Sequence, residues 1–353
     1  MSTRGTLSAA WDWIDARATP LPIEDALFED IASADAVDRV LAEAVINPHD
    51  LPDSDRAIIA GYAVRASHTV GAGSYSPLSL PLALAINAGD VPPPDTDAVL
   101  GFDMAESAES AESTESISGR VLALAPVAVG EGIERRGRVL KAGAIAIGVS
   151  HRPLRPQDIG ALAQLGVERV LVVARPRVRL EVAETLNPML RALIARDGGM
   201  VGEPPDLIAR LGWPDEPTPE RFMDGVAMRP GDGAGLGLVG GIPLIVLPTE
   251  PLSCLFAYDM LAGRLVRLLS GRTPALPYTT TRARLSRKIV SGIGFVEMIR
   301  VRLVRGQAEP LGSADTGGLI SAVHADGFVM VPAECEGFAP GAEVTVHLYG
   351  LLV

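Results

Sequence analysis

The sequence predicts a multidomain α/β plus β protein, and three observations carry that prediction. A chain of 353 residues is too long for one small core and, at roughly 100 to 200 residues per domain, divides into two to four modules. Between residues 157 and 269, helical and strand-type runs alternate, which points to a parallel sheet. On either side, residues 48–141 and 282–352 carry short apolar runs punctuated by Pro and Gly, the pattern of β modules.

The elements follow in order. Leu7, Ala10, Trp11 and Ile14 recur at helical spacing and Pro20 and Pro22 end the segment, so an amphipathic helix opens the chain. Residues 1–47 with 142–176 form an N-terminal helical linker region, and residues 48–141 a β-rich module with strands expected within 78–87 and 121–129. Inside it, residues 104–119 repeat Ala, Glu and Ser with nothing large enough to pack, so a solvated loop is expected. A helix over 157–166 closes at Gly166 and leads to a strand over 167–174. The α/β module, residues 177–272, holds a helix over 186–196 and a buried strand over 242–247 that enters a helix over 252–269. Residues 273–353 return to strand-type runs, a C-terminal β barrel or sandwich.

Composition narrows the functional classes. Hydrophobic residues at 48% and charged residues at 21% exclude global disorder, and aromatics at 4% require aliphatic cores. Apolar stretches such as 237–247 fall short of the ~18 to 20 residues a membrane span needs. The first twenty residues carry Asp12, Asp15 and Arg17 instead of an apolar leader, so a cytoplasmic protein without a membrane partner is expected. Cys254 and Cys335 are far apart, giving neither a disulfide framework nor a CxxC knuckle. A net charge of -12 disfavours nucleic acid. His49, His68, His151, His324 and His347 show no i, i+3 or i, i+4 pairing and read as structural.

Short motifs then arrive in a recognisable order: residues 42–52, Gly61-Tyr62-Ala63-Val64, Asp97-Ala98-Val99, Arg135-Arg136-Gly137, Leu162 to Gly166, Pro176-Arg177-Val178, Arg229-Pro230-Gly231, Pro248 with Pro251, and Ala325-Asp326-Gly327. In this order and spacing the chain resembles the MoeA-type molybdopterin molybdenumtransferases and the E domain of gephyrin. The resemblance implies an elongated homodimer whose modules contribute to one cleft at the subunit interface, with the first helix and linker region burying surface against the partner. It implies molybdopterin, adenylylated molybdopterin and molybdate as substrates, and Mg²⁺ assisting hydrolysis of the adenylate.

Such substrates need cations, backbone N–H donors and carboxylates. The resemblance places ligand-binding groups at Arg135, Arg136, Gly137, Arg229, Pro230, Gly231, Pro248, Pro251 and Ser321, with Asp55 and Asp97 as candidate catalytic acids, Asp232 as a further substitute carboxylate, and no metal ligands assigned. Several expected residues are replaced. The family's Asp before Gly-Tyr-Ala is Ala60 and its Ser is Ala57; the Gly-Glu-Asp after the paired arginines is Gly137-Arg138-Val139. Residues 179–187 and 212–220 stand where two glycine-rich loops are usual, Lys-Pro-Gly-Lys-Pro has become Arg229-Pro230-Gly231-Asp232-Gly233, and Pro-Gly-Asn-Pro has become Pro248-Thr249-Glu250-Pro251. Two readings follow. One is an enzyme of molybdenum-cofactor synthesis with transfer chemistry weakened or lost; the other is a noncatalytic dimeric cofactor-binding or scaffold protein serving a molybdoenzyme or a catalytic paralogue.

Overall fold

A computed structural model of the chain describes residues 4–19, 28–30, 37–107 and 121–350. The chain divides into two compact units: a β unit, residues 44–148 with 160–167, and a large unit, residues 1–43, 149–159 and 168–353.

In the β unit, Gly61–Val64 is the central strand between Leu84–Ile86 and Ala98–Gly101, all antiparallel. Tyr62, Val64, Leu80, Leu100 and Val121 form its aliphatic-rich core. The start of the Ala-Glu-Ser repeat departs from the expected loop: Ala105–Ser107 is a strand paired with Val121–Ala123. Ala105 packs against the core there, because a neighbouring strand supplies the backbone ladder that the repeat's small side chains cannot replace by packing. Residues 108–119 of that expected loop lie outside the described residues.

The large unit opens with α1 (Leu7–Asp15), whose first turn is capped by Thr6 Oγ1 accepting from Ala9 N at 3.1 Å. Leu7, Ala10, Trp13 and Ile14 are buried, while Trp11 is half-buried and donates its indole N–H to Met260 O at 2.9 Å. This apolar stripe joins the main core of its own chain, so a dimer contact through this helix would have to use other residues. The helix α2 (Pro156–Gln164) is followed by Gly166 at φ +66°, as its position predicts.

Six strands build the main sheet: β1 (Arg177–Glu181), β2 (Met200–Val201), β3 (Leu207–Leu211), β4 (Glu220–Asp224), β5 (Gly235–Val239) and β6 (Ile242–Leu247), in the order β2-β1-β3-β6-β5-β4. The first four in that order are parallel, as the helix–strand alternation predicts, while β5 pairs antiparallel with β6 and β4 antiparallel with β5. Between β1 and β2 lies α3 (Asn187–Arg196); after β6 come α4 (Pro251–Ala257), a π-helical turn Tyr258–Ala262 and α5 (Gly263–Leu269), one uninterrupted helical path.

One face of this sheet, with Val178, Leu207, Ala209 and Ile245, packs on α1, α3, α4 and α5. The other carries Ile208, Leu244 and Val246, with Trp213 packed against them. Trp213 lies on two glycines: a Cβ at Gly235 would come within 2.6 Å of its Cζ2, and one at Gly237 within 3.1 Å of its Cζ3. Arg221 stacks 4.6 Å over the indole, whose N–H donates to Asp224 Oδ1 at 3.0 Å. Within residues 212–241, Trp213 and Val239 pack on this face while β4 and β5 extend the sheet itself, and no residue of the stretch is helical. Trp213→Ala is expected to lower unfolding stability by roughly 2 kcal/mol, below the usual core Trp→Ala cost because the ring is half-buried, with Trp213→Phe costing less. Urea denaturation of the two variants checks this.

The C-terminal strands Thr280–Leu285, Val296–Val304, Gln307–Pro310, Gly327–Val331 and Glu343–Leu348 close on themselves, since Val296–Val304 pairs with both Gln307–Pro310 and Gly327–Val331. Closure decides between the two expected forms in favour of a barrel. Met228–Arg229 adds to it in parallel with Val296–Glu297. A short helix the sequence pattern does not announce, α6 (Gly318–Val323), precedes Gly327–Val331. Among the described residues no helix is long and apolar enough to cross a membrane.

Candidate functional site

The candidate residues fall into two groups, one in each unit. In the β unit, Arg56–Ala57 pairs with Ile133–Glu134, and the chain beyond each strand carries the charged residues. Asp55 accepts from Arg135 Nη1 at 2.5 Å and from the Arg136 backbone N–H at 2.8 Å; Asp50 accepts from the Ala142 N–H at 3.0 Å and from Arg136 Nε at 2.7 Å. Gly137, at φ +69°, lies so near Asp50 that a Cβ would stand 3.2 Å from its Cγ. Backbone N–H bonds first, then the arginines, hold both carboxyls below their usual range, so Asp55 is a poor proton acceptor. Both arginines nevertheless remain exposed, at 51% and 64%.

Asp97 stands in a different role. Its carboxylate accepts from Ala66 N at 2.6 Å, the first N–H of the 3-10 turn Ala66–Thr69. Where the resemblance leads to an expected Ser and Asp, Ala57 is buried and Ala60 offers a methyl, with Ile58 and Ile59 exposed between them.

In the large unit the second group gathers around the first turn of α4. The Glu250 carboxylate caps that turn, accepting from Leu252 N at 3.1 Å and Ser253 N at 2.7 Å, with Pro251 in the first helical turn. Gly231, at φ +114°, packs so close that a Cβ there would stand 3.2 Å from Ser253 O. Arg229 stacks 3.9 Å over Phe295 and lies 3.6 Å from the buried Glu297 carboxylate. Asp232 pairs with Arg4 at 2.9 Å. The helix α6 packs on α4, and a Cβ on Gly318 would be 4.0 Å from Glu250 Oε1.

Ser321 is buried, donates to Gly318 O at 2.6 Å and accepts from Arg300 Nε at 3.0 Å. Arg300 is the functional-site neighbour that sequence reasoning misses. It is 1% exposed, and its five N–H donors meet Ser321 Oγ and the carbonyls of Met298, Ala314, Ser313 and Thr316. Burial draws its pKa down, and no carboxylate bonds to it. The only signal was an arginine inside the apolar run 296–304. Glu250 was visible as a substitution, but its cap was not. Burial pushes the Cys254 thiol on α4 up to about 12, followed by the charge of Glu250, which leaves it inert as a nucleophile.

Residues 6–166 match the MoeA N-terminal region (domains I and II), and residues 282–349 match the MoeA C-terminal region (domain IV). The chain belongs to the MoeA family. Most of its length aligns with MoeA relatives: it is 22% identical to the molybdopterin molybdenumtransferase of Staphylococcus aureus strain COL, over 94% of this chain and 96% of that protein. It is 25% identical to molybdopterin molybdenumtransferase 1 of Mycobacterium tuberculosis, over 94% and 95%. The first of these alignments spans 414 positions against a chain of 353 residues, so that MoeA relative has segments this chain lacks. The crystal structure of the molybdopterin biosynthesis MoeA protein from Pyrococcus horikoshii OT3 superposes with a TM-score of 0.79 at 22% identity, covering 98% of this chain and all of that one, which establishes the MoeA fold.

The Mg²⁺ that the resemblance implies does not fit the donor set. Among the described residues no group of three or more His, Cys, Asp or Glu side chains could hold a metal ion. Asp50 and Asp55 already accept from arginine and backbone donors, so neither is a free oxygen ligand.

Proposed function

We propose that this chain acts in molybdenum-cofactor biosynthesis as a member of its family that binds molybdopterin while its own transfer of molybdate is weakened or lost. Family membership supports the pathway, and the names of the relatives supply molybdopterin and molybdate as the substrates. The observation that carries the loss of chemistry is the carboxylate of Glu250. A helix N-terminus of this type offers its first N–H groups to a substrate anion. Here a side chain of the chain itself takes two of them and brings a full negative charge, which repels phosphate and molybdate alike. The other groups agree: Arg135 and Arg136 are paired with acids, Arg300 has no donor left, and Ala57 and Ala60 offer no oxygen.

Exposure of the Arg135 and Arg136 guanidiniums supports retained binding, because a pterin phosphate can compete for solvated cations even where the chemistry is gone. A homodimer in the cytoplasm, working beside a molybdoenzyme or a catalytic paralogue, completes the proposal. Calorimetric titration with molybdopterin and with adenylylated molybdopterin tests it. Binding of molybdopterin with no tighter binding of the adenylylated form is expected, and heat from neither ligand would sink the cofactor-handling reading.

A further inference from the structure

The large unit holds a cavity of about 570 Å³ bounded by α3, α4, α6 and the segments around Tyr278 and Tyr349, and neither Arg229, Gly231, Glu250 nor Ser321 lines it. Its wall is aliphatic, with Leu193, Leu255, Leu319 and Val323 among the lining side chains. Its volume lies within the roughly 300 to 1,000 Å³ of small-molecule sites. The lining includes no carboxylate and one cation, Arg196; burial first, then the charge of Asp259, raises both tyrosine phenols, which keep their protons.

Arg196 has a donor to spare. Its Nε–H and one Nη2–H go to Asp197, the other Nη2–H to Asp259, and one Nη1–H to Tyr278 Oη at 2.9 Å. That accounts for four of five N–H groups. Arg300 uses all five at 1% exposure, whereas the Arg196 side chain is 26% exposed at the cavity wall. Two fully buried acids fix the Arg196 guanidinium, so the remaining Nη1–H is held in place before any ligand arrives. The ionic cluster is neutral as a whole, since Asp197 and Asp259 balance Arg196 and Arg267. What Arg196 has left for a ligand in the cavity it lines is this one donor, not net positive charge.

We propose that this cavity binds a small amphipathic molecule with an apolar body and a carbonyl or carboxylate oxygen, the body against Leu193, Leu255, Leu319 and Val323 and the oxygen on the free Nη1–H of Arg196. Titration of the full chain, followed by NMR, with three probes of one shape tests this: 4-phenylbutyrate, 4-phenylbutanamide and 4-phenylbutylamine. The first two carry an acceptor and are expected to bind at least tenfold tighter than the amine, which has no acceptor when protonated. Comparing the acid with the amide separates charge from hydrogen bonding. Val323→Trp at a 70% exposed position should fold and close the cavity, weakening the acid and the amide at least tenfold. Leu319→Asp serves if the tryptophan disturbs folding, and should weaken the acid more than the amide. No binding of acid or amide, equal binding of the amine, or unchanged binding in the filled variant would overturn the assignment.

Discussion

Replacing Asp197 by alanine is expected to remove roughly 3 to 5 kcal/mol of folding stability, the cost of breaking a buried ion pair from one side. Asp197 is fully buried and accepts from Arg196 Nε at 3.1 Å, Arg196 Nη2 at 3.0 Å and Arg267 Nη1 at 3.1 Å. Arg267 also donates to Asp259 O, and Asp259 in turn accepts from Tyr278 Oη and Arg196 Nη2, each at 2.7 Å. The π-helical turn places Asp259 here, and Gly263 leaves room for the cluster: a Cβ there would come within 2.6 Å of Asp197 Oδ2 and 2.9 Å of Arg267 Nη1. Removing one acid leaves two guanidiniums facing a single buried carboxylate. The double replacement Asp197→Leu with Arg267→Leu removes one charge of each sign and should recover much of the loss, as a cycle of urea unfolding curves would show. A single-variant cost under about 1 kcal/mol would mean that water reaches the cluster.

Arg300→Met is expected to cost on the order of 3 kcal/mol and to loosen residues 313–316 locally. The methionine fills the space of the aliphatic stem but leaves the Ala314 and Ser313 carbonyls and the Ser321 hydroxyl without their donor. Lysine should not rescue it, because three donors on one atom cannot span acceptors arranged for a planar fork. Limited proteolysis at 313–316, with hydrogen exchange of α6, reads the local effect; protection equal to wild type would show that Arg300 does not anchor the loop.

These two residues mark where the sequence ceases to be legible. Periodic features could be read because their cause is local: the buried strand over 242–247 coincides with β6, Gly166 follows α2 with positive φ, and the apolar stripe of α1 is the face that packs. Collinear motifs gave the family for the same reason, each being short and continuous. The missed features are made across long separations. Arg300 meets the 313–316 loop only once the barrel closes, and Asp197 meets Arg267, and Arg196 meets Asp259, only once α3 lies beside the helix that follows β6. Trp213 covers glycines on a strand that returns antiparallel where alternating helices would predict a parallel crossover. At the candidate site, substitutions could be read but their partners could not. Glu250 reads as a charge hostile to an anion, and its cap on α4 explains why the chain tolerates it.

The most direct test is molybdate insertion in vitro, with adenylylated molybdopterin, Mg²⁺ and molybdate supplied and product read by reconstitution of an apo-molybdoenzyme. Wild type and Ala60→Asp are compared with a protein-free control. Neither is expected to exceed the control, because one restored carboxylate cannot hold Mg²⁺ or free the α4 N–H groups from Glu250. Turnover by the wild-type chain would show that Glu250 and the missing carboxylates do not disable the site.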